Sequence, residues 1–362
     1  MNFDLPRSTF ATLSTTCLMR YNTAVLFAAL LPLLSCGQSK QEYVPALVGF
    51  YNVENIYDTL DQDGVDDAEF LPGSAKQWGS QRYWRKLDKT AGVIASMGKD
   101  LHPQGLAILG LAEVENRSVV EDICSREPLK ARGYRVVHVD GPDRRGVDVA
   151  LIYNPALYKV YAHKSYRLSM ADTAFRTRDQ LLVSGVLDGD TTHVIVAHWP
   201  SRRGGEKRSE PNRKAAAELG RHIVDSLLAI NPHARVMYMG DLNDDPVNVS
   251  IARFLKVSGE KTKAVDGTLY NPMYDPFHKG IGSLAWRDSW NLFDQIILSP
   301  ALVTGAGGQY KYYGVRIFNE PYLRQQEGNF AGYPSRTFVG DTYQDGYSDH
   351  FPVFVILVKE VR

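Results

Sequence analysis

Short apolar runs of strand length, each meeting a cluster of acidic, amide or imidazole residues, recur along this chain. The last run is the most telling. Ser348-Asp349-His350 stands immediately before Phe351-Pro352-Val353-Phe354-Val355-Ile356-Leu357-Val358, which has the length and β-branched content of a buried strand. Such a strand holds the residues at its end on a rigid edge, where polar groups are placed accurately. Four more clusters stand beside similar runs: Asn52-Val53-Glu54-Asn55, Leu111-Ala112-Glu113, His198-Trp199-Pro200-Ser201-Arg202 and Gly240-Asp241-Leu242-Asn243-Asp244. Asp294 opens a sixth run, Gln295-Ile296-Ile297-Leu298.

Between the clusters, strand and helix patterns alternate. Residues 47–53 read as a mostly apolar strand, with Pro45 marking its start. Tyr83, Leu87, Ala91, Ile94 and Ala95 fall at helical spacing and predict a helix over 80–97. Residues 106–111, 134–139 and 147–153 read as strands, and 119–126 as a short helix stopped before Pro128. Residues 181–187 and 193–197 predict a hairpin around Asp188-Gly189-Asp190. A long helix is expected over 211–228, with Pro211 near its first turn, then strands at 236–239, 294–299 and 352–358. No repeat of solenoid or propeller period is present. With 362 residues, 44% of them hydrophobic, the chain can bury a large core. The expected fold is one α/β domain: two sheets packed face to face with helices outside. The stretches 58–77 and 319–346 are long and polar, and loops of that length are usually functional.

The N-terminal region reads as a targeting segment. Residues 24–34 are apolar, about the length of a signal h-region and too short to span a bilayer. Leu33-Leu34-Ser35-Cys36-Gly37 resembles a bacterial lipobox, in which Cys36 becomes the first mature residue and carries lipid. The expected organisation is a lipoprotein signal over 1–35, with Met19 able to open a compact version, a tether over 36–43, and the folded domain over 44–362. The alternatives are an ordinary secretory signal or a buried apolar segment. The expected location is outside the cytoplasm, anchored to a bacterial membrane through Cys36. Once Cys17 is removed and Cys36 lipidated, Cys124 has no intrachain partner and is expected to be a packed core residue.

The clusters offer carboxylates, amides and imidazoles. Oxygen donors of this kind suit a hard cation such as Mg²⁺ or Mn²⁺. Converging carboxylates without a cation would raise one another's pKa. In this order the set resembles the endonuclease/exonuclease/phosphatase superfamily, of deoxyribonuclease I type, over about residues 45–360. The resemblance implies a four-layer α/β/β/α sandwich with two mixed sheets, and metal-dependent hydrolysis of phosphate esters. It implies that Glu113 is the principal metal ligand, with Asn52, Glu54 and Asp349 on the metal side. Glu54 stands where some relatives have aspartate. Asp241 and Asn243 match the pair that handles the attacking water and the phosphate. His350 matches the catalytic histidine, Asp294 the acid that orients it, and His198 a second histidine of the deoxyribonuclease I and sphingomyelinase-like branches. Asp241 or His350 could take the water's proton, and His198 is a candidate to protonate the leaving alkoxide.

Other features are secondary. Residues 58–67 carry five aspartates but lack EF-hand spacing, leaving Ca²⁺ as an alternative ion there. Arg202 and Arg203 are candidates to clamp substrate phosphate. Tyr310, Tyr312, Tyr313, Tyr322, Tyr333, Tyr343 and Tyr347 crowd the C-terminal region, to stack on bases or sugars or simply to pack. With 41 basic and 41 acidic residues, a broad basic surface for nucleic acid is excluded, though a local basic cleft is not. The expected function is a nuclease-like phosphodiesterase acting on a phosphodiester, nucleic acid included. The alternatives are a phosphoesterase of phospholipid head groups or inositol or sugar phosphates, and a non-catalytic surface-binding lipoprotein with a decayed site. No protein partner can be inferred.

Overall fold

The computed structural model describes residues 42–361, apart from 171, 173, 174, 266, 306 and 307. The signal and lipobox expectations, with Cys17 and Cys36, lie outside the described residues. In chain order the first elements are β1 (Tyr43–Ile56), α1 (Ser80–Ser96), β2 (Ile108–Val114), α2 (Arg117–Ser125), β3 (Arg135–His138), β4 (Asp148–Tyr153), β5 (Tyr158–Tyr166), β6 (Gln180–Leu187), β7 (Asp190–His198), α3 (Glu206–Ile230) and β8 (Arg235–Asp241). Next come β9 (Val257–Ser258), β10 (Leu269–Tyr270), α4 (Tyr274–His278), β11 (Leu284–Trp286), β12 (Ser289–Asn291) and β13 (Asp294–Leu298). The chain ends with α5 (Pro300–Thr304), β14 (Lys311–Ile317), β15 (Phe338–Val339), β16 (Thr342–Tyr343) and β17 (Val353–Glu360).

Two mixed sheets form the body. One has the order β14-β17-β1-β2-β4-β3 and the other β5-β6-β7-β8-β13-β10-β9. Strand alternation builds the layers. On β1, Val48 and Phe50 face the second sheet, packing with Val196, Met237 and Met239. Leu47 and Tyr51 face the other way, onto Leu87, Ala91 and Ile94 of α1 and Val120 and Ile123 of α2. On β8, Val236 and Tyr238 pack outward against Ala216, Ile223 and Val224 of α3. The result is the expected α/β/β/α sandwich. Each fully buried Val, Leu, Ile or Phe contributes about 1.5–3 kcal/mol, so the three clusters carry the stability. Cys124 is buried in the first, and burial pushes its thiol up to about 12, as expected of a packed cysteine.

Several boundaries differ from the sequence pattern. β5, an edge strand, was not expected: much of it is exposed and polar, and a register shift between Val160 and Ala162 breaks its alternation. β14, another edge strand, carries Tyr312 and Tyr313 in a stretch that the sequence pattern left unassigned. Pro45 lies inside β1, opposite Val358. It is tolerated because β2 joins β1 only from Val48, leaving that end of β1 a strand edge. The long helix begins at Glu206, so Pro211 sits in its interior; the polar first turns hid the true start.

Candidate active site

Strand register brings the acidic and imidazole residues together. β7 and β8 run parallel with His198 opposite Asp241, and β13 runs antiparallel to β8 with Asp294 opposite Asp241. Gly240 allows this: a Cβ there would meet the Ala197 carbonyl oxygen at 1.9 Å. The first sheet supplies Asn52 near the end of β1 and Glu113 near the end of β2. Register shifts fall between Asn52 and Ile56 on β1, and between Ala112 and Val114 on β2. Glu54, Asn55, Glu113 and Asn243 all have positive φ (55°, 46°, 66° and 50°). Bulges and left-handed residues of this kind re-aim side chains and are stored where function requires them.

The Asp241 carboxylate is the meeting point. Its Oδ2 accepts from Asn52 Nδ2 at 3.0 Å and lies 3.5 Å from His198 Nε2 and 3.9 Å from His350 Nε2. Its Oδ1 accepts from the Asn243 backbone N–H at 3.0 Å. The Asn243 side chain donates to the Trp199 carbonyl at 3.0 Å. His350 Nδ1 is 2.7 Å from Asp294 Oδ2, and the Ser283 hydroxyl donates to the same oxygen. Ser348 fixes the approach: its hydroxyl donates to the Asn52 carbonyl at 2.7 Å and accepts from the His350 N–H at 3.1 Å.

Burial and charge push the two histidines apart. Burial alone would lower His350, but the Asp294 carboxylate, helped by Asp241 and Asp349, holds it well above the usual histidine range. His198 is held well below it by burial, then by the guanidinium groups of Arg178 and Arg145 and by His350. Its Nδ1 is buried without a hydrogen-bond partner. Asp241 is raised, chiefly by burial and then by Asp294, against the opposing charge of His350. The two rings are thus driven in opposite directions, His350 toward the imidazolium and His198 toward the neutral form.

The metal-side residues separate into two groups. Glu113 Oε2 accepts from the Asn55 N–H at 3.0 Å, while Oε1 faces His198 Nε2 at 3.9 Å, beyond hydrogen-bond distance. Glu54 is engaged elsewhere: Oε2 accepts from the Thr337 N–H at 2.6 Å and Oε1 lies 3.4 Å from Arg336 Nε. Arg336 also donates to Asp349 Oδ2 at 2.7 Å, bridging the two carboxylates. Lys86 is buried below them, donating to Thr337 Oγ1 at 2.7 Å and to the Tyr347 carbonyl. Burial lowers it to about 8, against the pull of Glu54, Asp349 and Glu113. Sequence reasoning missed both cations. The signal for Lys86 was a lysine one residue before Leu87 of the buried helix face; Arg336 lies in a long loop with no local signature. Asp241, Asp294 and His350 come close enough to share an ion, but the Asp294 oxygen is already held by His350 and Ser283.

A cleft of about 580 Å³ opens over this pole and is lined by Glu113, His198, Asp241, Asn243 and His350. Arg203 lines it, but Arg202 does not. The Arg202 guanidinium binds the Asn243 carbonyl at 2.9 Å, Asp244 at 3.1 Å and Asn248 at 3.2 Å, so it braces the loop after β8. The expected phosphate clamp at Arg202 is thus a structural brace. In the acidic stretch 58–67, Asp58 caps Leu60 N and Asp67 caps Gln62 N, and none of its carboxylates belongs to a potential ion-holding group among the described residues. The C-terminal tyrosines mostly pack: Tyr310 is buried, and Tyr312, Tyr322, Tyr333, Tyr343 and Tyr347 contact other rings. Tyr313 is 71% exposed.

Buried carboxylates and two imidazoles converge at one end of a four-layer sandwich, an arrangement suited to acid–base chemistry on a bound substrate. The profile of the Endonuclease/Exonuclease/phosphatase family matches residues 47–359, and the chain belongs to that family. Among solved structures it is similar to an endonuclease/exonuclease/phosphatase family protein from Bacteroides thetaiotaomicron (17% identity, TM-score 0.53, covering 89% of this chain and 100% of the other). A mannosyl-6-phosphatase from the same organism is also similar (17%, TM-score 0.52, 88% and 100%). So is TDP2 from D. rerio, solved with a single-strand DNA product (14%, TM-score 0.51, 86% and 98%). These likenesses show the fold. No curated protein sequence matches the chain.

Proposed function

We propose that this protein is a metal-dependent phosphoesterase, acting as a phosphodiesterase on a nucleic-acid-like phosphodiester. The observation that carries the reading is Asp241 Oδ2, a raised carboxylate oxygen facing both His198 and His350 beside Glu113. The donor set fits a hard cation: Glu113 offers Oε1, which faces His198 beyond hydrogen-bond distance, and Asn52 lies in the adjacent strand, paired with Ala112 next to Glu113. Glu113 with Asn52 would hold Mg²⁺ or Mn²⁺, whereas Glu54 and Asp349 are engaged by Arg336. Such a cation supplies electrostatic stabilisation of charge on the phosphoryl oxygens.

The chain's own groups supply the rest. Asp241 Oδ2 accepts the proton of the attacking water, its raised pKa bringing it closer to that task. Asn52 holds that oxygen in place. His350, kept protonated by Asp294, presents Nε2–H to the phosphate or the leaving oxygen. Asn243 retains a second side-chain N–H for a non-bridging oxygen. His198, neutral, orients Asp241 and the bound phosphate.

The TDP2 structure with DNA and the mannosyl-6-phosphatase stand behind different substrates on one fold, so a panel decides. It comprises plasmid DNA, RNA, bis-p-nitrophenyl phosphate, mannose 6-phosphate, inositol phosphates and sphingomyelin, each with Mg²⁺ and with EDTA. Turnover of the generic diester that EDTA abolishes is the expected result. Failure on every substrate would favour a non-catalytic binder. We further propose that the protein is exported and held at a membrane through lipidated Cys36; no described helix is long and apolar enough to cross a membrane itself.

A further inference from the structure

We infer that the cleft takes a substrate carrying a second phosphate group besides the scissile one, bound by Arg144 and Arg176; this rests on the phosphoesterase reading above. Besides the carboxylates and imidazoles, the cleft is lined by Arg144, Arg145, Arg176, Arg178 and Arg203. Two of these are already engaged. Arg178 is buried, donating to Asp143 Oδ2 at 3.1 Å and to the Trp199 carbonyl at 2.6 Å, and Arg145 Nε lies 3.4 Å from Asp143 Oδ1. Arg144, Arg176 and Arg203 are exposed, and none of them forms an ion pair with a carboxylate among the described residues.

Arg144 and Arg176 also border a neighbouring concavity of about 770 Å³, whose wall includes Gly64, Val65 and Pro142. Asp66, Asp143, Arg144 and Arg176 are common to both hollows, so these residues stand where the two meet. The loop that carries Arg144 is held in shape. Its Gly141 N–H donates to Asp148 Oδ2 at 3.0 Å, its Arg145 N–H to Asp143 Oδ1 at 3.0 Å, and its Arg144 carbonyl accepts from the Asp66 N–H at 2.7 Å. Phe175, 42% exposed, lines the cleft beside Arg176 and offers a face for a ring.

A single phosphodiester carries one negative charge, and the catalytic pole already meets it. Guanidinium groups without a carboxylate partner in one cleft favour an anionic ligand, and phosphate fits their fork geometry. The shared chemistry is a phosphate ester with a second phosphate nearby, found both in an oligonucleotide and in a bisphosphorylated small molecule.

The test compares two diesters with the same leaving group. They are thymidine 5′-(p-nitrophenyl phosphate) and its 3′-phosphorylated form. Wild type should prefer the second by about 10- to 100-fold in kcat/KM, chiefly through KM. The R144A/R176A double variant should bring the preference close to one. These side chains are exposed, so folding is checked simply by an unchanged melting curve. In parallel, calorimetry compares thymidine 3′,5′-bisphosphate with thymidine 5′-monophosphate, and competition by pTpT with competition by inositol bisphosphate separates the two sources. No preference in wild type, or a preference that survives in the double variant, overturns the inference while leaving the phosphoesterase reading intact. If neither diester is turned over, that reading fails and binding decides: a bisphosphate bound no more tightly than the monophosphate overturns the inference as well.

Discussion

Asp294→Asn tests the catalytic pole most directly. Asp294 is fully buried and its Oδ2 holds His350 Nδ1 at 2.7 Å. The substitution keeps the volume and removes the charge, so the chief support for the His350 imidazolium disappears. Removing one partner of a buried ion pair costs about 3–5 kcal/mol. Here the imidazole can release its proton, so the loss is closer to a single charged hydrogen bond, about 2–3 kcal/mol. That corresponds to a melting point lower by about 3–5 °C for a domain of this size. The pH dependence has a definite sign. His350 is raised when folded, so its contribution is fully present below its unfolded pKa of about 6.5 and is lost as pH rises through the folded value. The stability gap between wild type and variant should therefore be widest near pH 6 and narrow in alkali. In catalysis the loss should be about 10²–10⁴-fold, or about 3–5 kcal/mol of barrier, and should appear in kcat rather than KM. The assay is the pH–rate profile for bis-p-nitrophenyl phosphate with thermal melts in parallel. The alkaline limb, where His350 loses its proton, should move to lower pH in the variant. A variant that keeps the wild-type alkaline limb would refute the imidazolium role.

Three further tests address the metal, the strand contact and the anchor. Glu113→Gln should reduce turnover by at least about 100-fold and weaken Mg²⁺ binding measured by calorimetry, with the melting point little changed. Full activity in EDTA would remove the metal from the reading. Gly240→Ala forces a Cβ to within 1.9 Å of the Ala197 carbonyl, a backbone atom that cannot swing away, and should cost about 3 kcal/mol or more; an unchanged melting curve would mean the β7–β8 contact is looser than described. Cys36→Ser should move the protein from the membrane to the soluble exported fraction, and a wild type already soluble there would end the lipobox proposal.

The strands that carry the site were legible because they are central and buried, so their apolar runs stop where the polar cluster starts. His198, Asp241 and Asp294 lie on three neighbouring strands, and each stands at the end of such a run. Edge strands β5 and β14 were not legible, since each carries a register shift that breaks the period-two pattern. The bulges that aim Glu54 and Glu113 left no signal either, because nothing in Asn-Val-Glu-Asn or Ala-Glu-Val demands a positive φ. Arg336 and Lys86 were missed for another reason: they reach the site from a long loop and a helix face, and only tertiary packing brings them to Glu54 and Asp349.

The role of His198 shows the limit most clearly. Its sequence neighbours, Trp199 and Pro200, say nothing of charge. Burial together with Arg178 and Arg145, from two distant segments, lowers its proton affinity, while Asp294 raises that of His350. Two histidines facing one carboxylate oxygen are thereby pushed in opposite directions, and in the proposed mechanism the proton donor is the one with its own buried acid. His198→Ala should then slow an alkyl-leaving diester and a p-nitrophenyl diester by similar factors, because the neutral ring positions Asp241 and phosphate without giving a proton to the leaving oxygen. A general acid would behave differently: the alkyl diester would suffer about 10²-fold more, since nitrophenolate leaves without protonation. Parallel losses, with the alkaline limb of the pH–rate profile unmoved, are the expected outcome. A selective collapse on the alkyl substrate would return the acid's role to His198 and leave His350 as a binder of the phosphate.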